Sequence, residues 1–245
     1  MKDRSYVITG ASSYLGKAFA AYLCKAGNKV LLTSRRSCED LSSLQSESVL
    51  YLPGLSLVEE NDLDVLCKEV GLFFERRFHV INCLGYFPDY KSIESMSMEE
   101  ARNVLESNVL TVFGVGNRLL PMMAEREGGH FVGFSMHTAY QNYPYMALFS
   151  AAKVALESFI KGISNEYLKD GIIANVISLS TLQNDNELRM KPHGDFSNWL
   201  KADEVCRIVK NLIEHSSGFV NGSVIHAYKY SETFFGESYF DRIKK

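Results

Sequence analysis

Residues 5–16, Ser-Tyr-Val-Ile-Thr-Gly-Ala-Ser-Ser-Tyr-Leu-Gly, run from an apolar strand through a glycine turn into a helix. Gly10 and Gly16 bracket the turn, and residues 15–26 have the composition of a helix. Such a turn directs backbone N–H groups and the positive end of a helix dipole toward one point, which suits a pyrophosphate. We therefore predict a nucleotide site here rather than an ordinary turn. The residues predicted to bind the nucleotide are Gly10, Ser12, Ser13, Tyr14, Leu15 and Gly16.

Composition narrows the class of protein. The chain has 245 residues, 46% of them hydrophobic and 22% charged, which is typical of one large α/β domain. A net charge of -3 argues against a nucleic-acid binder, which needs a basic face. The five cysteines show no Cys-x-x-Cys pair, which indicates reduced thiols, a cytoplasmic protein and no metal site. The first apolar run stops at Gly10, too early for a signal peptide or a membrane span.

Apolar segments alternate with amphipathic segments along the chain. The predicted strands are residues 6–8, 29–33, 48–52, 79–82, 130–135, 172–177 and 224–226. The predicted helices are residues 15–26, 61–74, 98–123 with a break at Pro121, 146–168 and 205–213. This order predicts a Rossmann-like, doubly wound parallel sheet of about seven strands in a single domain. The domain would span residues 1–230, with an aromatic C-terminal tail over residues 231–245.

The second predicted strand ends in Ser34-Arg35-Arg36. No acidic residue follows this strand to bind a ribose 2'-hydroxyl, and two guanidinium groups stand there instead. Arg35 and Arg36 therefore favour a 2'-phosphate, and with it NADP(H) over NAD(H). The alternative is a solvated basic turn.

Four motifs in order resemble those of the short-chain dehydrogenase/reductase family, over nearly the whole chain. They are residues 9–16 for the glycine motif, Asn82-Cys83-Leu84-Gly85 for Asn-Asn-Ala-Gly, Asn108 for the mid-helix Asn, and residues 149–153 for Tyr-x-x-x-Lys. The resemblance implies that Leu55, Asn82, Gly85 and Lys153 also bind NADP(H). It further implies a homodimer or homotetramer, with a hetero-partner as an alternative.

Two catalytic positions depart from the family pattern. Phe149 stands where the family tyrosine delivers the proton, and Met136 stands where the family has its serine. Ser135 is one residue away, but alternation along a strand should point it elsewhere. A positioned general acid is worth about 10² to 10⁴ in rate, and an oxyanion donor about 10² to 10³. The ordinary ketoreductase mechanism is therefore not expected.

The other catalytic positions are retained. By resemblance, Lys153 binds the nicotinamide ribose and Asn108 holds a water in a proton relay. The alternative for Lys153 is a solvent-facing helix lysine, although its neighbours are small and apolar. The alternative for Asn108 is a capping or core amide. Tyr14 replaces the family's middle glycine, which strains the backbone if φ is positive and costs nothing if Tyr14 begins the helix.

Substitutes for the lost acid lie just before Phe149. Tyr145 precedes Lys153 by eight residues and would share its face if the helix starts early. His137 follows Met136 and could act as an acid near neutral pH. The alternatives are a pocket wall or subunit contact for the tyrosine and a hydrogen-bonded strand-end histidine for His137.

Two functions remain open at this point. The first is an NADP(H)-binding biosynthetic enzyme acting on a small molecule, with altered reductase or non-redox chemistry such as cyclisation or elimination. The second is an inert pseudoenzyme that binds a nucleotide or a partner subunit. Residues 184–199 correspond to the family's lid over the substrate, and the tail predicts a contact with a neighbouring subunit or the site.

Overall fold

The computed structural model describes residues 4–141, 143–184, 199–216 and 218–227. Within them, seven parallel strands form one sheet in the order β3-β2-β1-β4-β5-β6-β7. The strands are β1 Ser5–Thr9, β2 Lys29–Ser34, β3 Val49–Pro53, β4 Phe78–Asn82, β5 Gly129–Met136, β6 Ile172–Leu179 and β7 Val224–Ala227. The predicted fold class, a doubly wound parallel sheet, is confirmed.

Helices cover both faces of the sheet. They are α1 Tyr14–Lys25, α2 Glu39–Ser42, α3 Glu60–Phe73, α4 Met98–Leu105, α5 Thr111–Glu125, α6 Thr138–Gln141, α7 Ala147–Glu166 and α8 Ala202–His215. One core cluster on the first face includes Ile8, Phe19 and Leu32, and the cluster on the other face includes Val7 and Leu31. Successive residues of β1 and β2 alternate between the two clusters, as side chains on a strand must.

The predicted helix break at Pro121 is wrong. Helix α5 runs through Pro121 to Glu125, because this proline is exposed and water can solvate the carbonyl that its missing N–H leaves without a partner. The irregularity lies earlier, where Glu106–Leu110 form a π-helical turn between α4 and α5. Single π-turns of this kind occur frequently at functional sites.

Strand β1 lies between β2 and β4, so the chain order of the strands reverses on its two sides. In open α/β sheets, ligands bind outside the carboxyl ends of the strands at such a reversal. Thr9, the last residue of β1, pairs with Thr33 of β2 and Asn82 of β4 at that edge. The glycine turn follows directly, so the fold brings the sequence motifs to this crevice.

Most of the predicted lid and the entire aromatic tail lie outside the described residues, as do residues 228–230. The domain boundary at residue 230 therefore stays a prediction. Among the described residues, no helix combines the length and apolar character that crossing a membrane requires.

Candidate active site

The glycine turn after β1 allows two backbone segments to approach closely. Gly10 has a φ of +67°, and a Cβ there would lie 2.9 Å from the carbonyl carbon of Cys83. A Cβ on Gly16 would lie 2.3 Å from the carbonyl oxygen of Gly10. Both positions therefore require glycine, and the first turn of α1 packs directly on the loop that follows β1.

Ser13 and Tyr14 begin helix α1. The Ser13 hydroxyl caps the helix by accepting a hydrogen bond from the Gly16 N–H at 3.0 Å. Tyr14 is the first helical residue and is not among the described residues with positive φ, so its replacement of a glycine causes no backbone strain. Its hydroxyl donates to the carbonyl of Gln183 at 2.5 Å. Tyr14 thus joins the glycine turn to the segment after β6.

A cavity of about 360 Å³ lies beside this turn, and we call it the nucleotide cavity. Seven of the predicted nucleotide-binding residues line it: Gly10, Ser12, Ser13, Arg35, Arg36, Leu55 and Gly85. Tyr14, Leu15, Gly16, Asn82 and Lys153 are not on its described wall. The sequence analysis missed wall residues from the loop after β4 and from the π-turn, such as Tyr86, Glu106 and Ser107.

The two arginines lie at the rim of the nucleotide cavity. Ser34 is buried at the end of β2, and its hydroxyl donates to the carbonyl of Arg36 at 2.6 Å. The Tyr51 hydroxyl contacts the Ser34 hydroxyl at 2.8 Å, which fixes the turn further. Arg35 and Arg36 themselves are exposed. Their guanidinium groups are therefore accessible to an anionic ligand in the cavity.

Asn82 holds two strands together at the carboxyl edge. It is fully buried at the end of β4, and its Oδ1 accepts a hydrogen bond from the Thr9 hydroxyl at 2.5 Å. The Cys83 N–H donates to the Thr9 carbonyl at 3.0 Å. Asn82 therefore sets the path of the loop that carries Gly85 into the site.

Asn108 lies in the π-turn and is fully buried. Its side-chain amide donates to the carbonyls of Tyr86 at 2.8 Å and Val104 at 2.9 Å. Its Oδ1 accepts no hydrogen bond from the described residues. A Cβ on Gly85 would lie 3.0 Å from this oxygen, so only glycine leaves room beside it. The buried oxygen fits an acceptor for a water or a ligand hydroxyl.

Lys153 is buried in α7, so the alternative of a solvent-facing lysine is wrong. Its ammonium group donates to the carbonyl of Phe134 at 3.2 Å. Burial lowers the pKa of Lys153 to about 8, and the Glu157 carboxylate partly offsets this shift. A Cβ on Gly85 would lie 3.1 Å from Nζ, so Lys153 and Asn108 reach the same glycine.

A buried carboxylate lies one helical turn beyond Lys153. Glu157 is 3% exposed and accepts a hydrogen bond from the Tyr140 hydroxyl. Burial raises the pKa of Tyr140 above its ordinary value, and the bond to Glu157 raises it further. This tyrosine therefore stays protonated and holds the carboxylate.

Phe149 and Met136 occupy the positions of the missing tyrosine and serine. Phe149 is 3% exposed and packs edge-on against Phe87, with ring centroids 5.0 Å apart. Met136 ends β5 and lines a second cavity, whereas Ser135 is buried and does not line that cavity. Neither Phe149 nor Met136 carries a hydroxyl group, so neither side chain can donate a proton from the position it occupies.

The second cavity, of about 600 Å³, is called the substrate cavity below. Both proposed substitute acids line it, Tyr145 and His137. Tyr145 does not share a helical face with Lys153, because α7 begins at Ala147 and Tyr145 has a φ of +67°. Its backbone is held by a hydrogen bond from the Lys91 N–H to its carbonyl at 3.0 Å.

His137 is anchored to the neighbouring strand. Its Nδ1 lies 3.2 Å from the carbonyl oxygen of Leu179, and its backbone N–H donates to the same oxygen at 3.0 Å. Because a carbonyl only accepts, Nδ1 carries the proton in this contact. Among the described residues, no group of three or more His, Cys, Asp or Glu could hold a metal ion.

Comparison with known proteins identifies the family. The family model for short chain dehydrogenases matches residues 4–191, so the chain belongs to this family. An uncharacterized oxidoreductase of Staphylococcus aureus is 27% identical over 182 residues, covering 73% of this chain and 78% of the relative. The predicted oxidoreductase YtkK of Bacillus subtilis is 25% identical over 241 residues, covering 91% of this chain and 94% of the relative.

Solved structures show the same fold. A short-chain type dehydrogenase/reductase from Mycobacterium ulcerans superposes with a TM-score of 0.84 at 21% identity, covering 99% of this chain and 97% of that chain. A tyrosine-to-phenylalanine variant of ElxO with NADPH bound has a TM-score of 0.80 at 20% identity, covering 92% and 97%. A 3-ketoacyl-(acyl-carrier-protein) reductase from Brucella melitensis, complexed with NADH, has a TM-score of 0.81 at 17% identity, covering 91% and 96%.

Proposed function

We propose that this protein binds NADP(H) and acts on a small molecule without the family's tyrosine-based carbonyl reduction. The observation that carries the proposal is Phe149, buried against Phe87 beside Lys153, where a proton donor is needed. The remaining chemistry is an altered reductase step or a non-redox step, such as cyclisation or elimination, in a biosynthetic sequence.

The residues present fit a nicotinamide dinucleotide. Gly10 lines the nucleotide cavity at the turn after β1, and α1 begins at the same edge. Arg35 and Arg36 supply the positive charge that a 2'-phosphate requires. The ElxO variant supports the idea that such a site keeps NADPH after a tyrosine-to-phenylalanine change.

When bound, NADPH supplies a hydride. Lys153 is mostly protonated at pH 7 and would donate its N–H groups to a ribose hydroxyl, a role that needs no tyrosine. The buried Oδ1 of Asn108 would accept from a water on the same side of Gly85. His137 and Tyr145 line the substrate cavity and are the proposed replacements for the missing acid. Without a proton donor, the same cavity would still orient a reactant.

The test combines binding with turnover. The protein is titrated with NADPH and NADH by fluorescence and then screened with simple ketones. We expect NADPH to bind more tightly than NADH, with little or no ketone reduction. Failure of both nucleotides to bind would overturn the proposal and leave a partner-binding pseudoenzyme.

Variants identify the substitute acid if turnover occurs. Loss of activity in Tyr145→Phe or His137→Ala, with Tyr143→Phe as the matched control on the same wall, would assign the role. Activity that survives in both variants would exclude these two residues as the acid.

A further inference from the structure

The substrate cavity has an aromatic and aliphatic wall. Four rings line it: Phe87, Tyr90, Tyr143 and Tyr145. The aliphatic side chains among the described lining are Met136, Met146, Leu179 and Leu182. A cavity of about 600 Å³ lies within the range of roughly 300 to 1,000 Å³ that encloses small-molecule ligands.

The charge distribution distinguishes the two cavities. No aspartate, glutamate, lysine or arginine occurs among the described residues that line the substrate cavity. The nucleotide cavity, by contrast, is lined by Arg35, Arg36 and Glu106. A charged ligand group that is buried against this described wall finds no acidic or basic side chain as a partner, which is unfavourable.

Besides the tyrosine hydroxyls and Asn184, three polar residues of this cavity lie at the carboxyl ends of β5 and β6. His137 follows β5, and Ser180 and Thr181 follow β6. These strand ends are adjacent, because Met136 pairs with Leu179 in the sheet. A ligand that is polar at one end and apolar over the rest of its surface would satisfy both parts of the wall.

The wall includes one strained residue. Tyr145 adopts a left-handed φ of +67°, a conformation that costs a bulky residue on the order of 1–3 kcal/mol. Strain of this kind persists at ligand sites, where the surrounding structure fixes it. Here the bond from Lys91 to the Tyr145 carbonyl holds the turn that brings this residue to the cavity.

We infer that the substrate cavity takes an uncharged, largely aromatic or alicyclic molecule that carries one carbonyl or hydroxyl group. The inference rests on the proposed function only in treating this ligand as the substrate, because binding itself needs no nucleotide. The described wall offers no acidic or basic side chain to pair with a carboxylate, phosphate or ammonium group.

The test compares two ketones that differ in charge. The affinities of 2-acetylnaphthalene and 6-acetyl-2-naphthoate are measured by equilibrium dialysis with the full chain and no nucleotide. We expect the neutral ketone to bind about tenfold more tightly or better, since burying an unpaired carboxylate costs at least the ~1.4 kcal/mol of a tenfold change. Equal affinities, tighter binding of the carboxylate or binding of neither ketone would overturn the inference.

A matched pair of variants locates the binding. Met136→Glu and Met136→Gln have similar size and differ in charge. The glutamate variant should lose about tenfold or more of its affinity for the neutral ketone, whereas the glutamine variant should stay within about threefold. Unchanged affinity in a folded glutamate variant would place the ligand elsewhere and overturn the inference. Ketone binding together with no NADPH binding would refute the proposed function and leave this inference standing.

Discussion

The ammonium group of Lys153 lies 5.5 Å from the centre of the Phe149 ring, one helical turn away on α7. In this position the lysine contacts an aromatic face instead of a hydroxyl group. A cation over a ring is stabilised, but the ring has no proton to give. Under the proposed function, this relationship keeps the lysine in place without giving it a hydroxyl group to assist.

Lys153 should make nucleotide affinity depend on pH. Its pKa of about 8 means that the ammonium form, the proposed donor to the ribose, is lost as pH rises through that value. NADPH affinity should therefore fall progressively as the pH rises from 7 to 9. Fluorescence titrations across this range measure it. Lys153→Met should bind more weakly and lose the dependence. An unchanged profile in that variant would contradict the role.

Arg35 and Arg36 should set the preference between the two nucleotides. Arg35→Ala/Arg36→Ala removes the charge at the rim of the nucleotide cavity and should weaken NADPH binding about 10- to 100-fold. NADH affinity should change little, because NADH lacks the 2'-phosphate. Arg76→Ala is the matched control, since Arg76 is exposed and does not line this cavity. Equal losses for both nucleotides would refute the 2'-phosphate contact.

His79 and His130 should make the fold sensitive to acid. Their rings lie 5.4 Å apart, and the His130 backbone N–H donates to Nδ1 of His79 at 3.1 Å. Burial lowers the pKa of His79 to about 3 and that of His130 to about 4. The two histidines take up protons near pH 6.5 in the unfolded chain but not in the folded chain. The free energy of unfolding is therefore highest above pH 7 and falls as the pH drops below that value.

Urea unfolding at pH 7 and pH 5 measures this loss. The free energy of unfolding should fall by up to about 1.4 kcal/mol per pH unit for each histidine. His130→Leu should reduce the pH dependence by roughly half, since one of the two groups is removed. The exposed His215 provides the control variant His215→Gln, which should leave the slope unchanged. A slope that is equally steep without His130 would contradict the account.

An exposed aromatic residue on α5 predicts self-association, which we propose as a homodimer or homotetramer. Phe113 is 52% exposed beside Phe159 of α7, and Leu110 is 53% exposed one turn earlier. Exposed apolar groups on adjacent helices favour a subunit contact. Phe113→Asp should shift the mass measured by light scattering toward the monomer, whereas Leu72→Asp on α3 should not. A monomeric wild-type protein would refute the proposal.

The sequence predicted the sheet because each strand is a short apolar run that ends near a turn residue. It also predicted the burial of Lys153 from the small residues around it. The π-turn could not be predicted, because no local pattern in residues 106–110 marks it. Its Asn108 amide donates to the carbonyl of Tyr86 in the loop after β4, a contact between residues far apart in the sequence. Tyr86 lines the nucleotide cavity because of the path that this loop follows, and no local sequence pattern specifies that path.

The most direct test of the central claim restores the two missing groups. Phe149→Tyr/Met136→Ser adds a hydroxyl next to Lys153 and another at the end of β5. NADPH oxidation with a panel of simple ketones is followed under single-turnover conditions for this variant and the wild-type protein. We predict that the variant reduces ketones at least about 10²-fold faster, since each added group is worth about that factor or more. Wild-type protein that reduces the same ketones as fast as the variant would contradict the claim that Phe149 removes the proton donor.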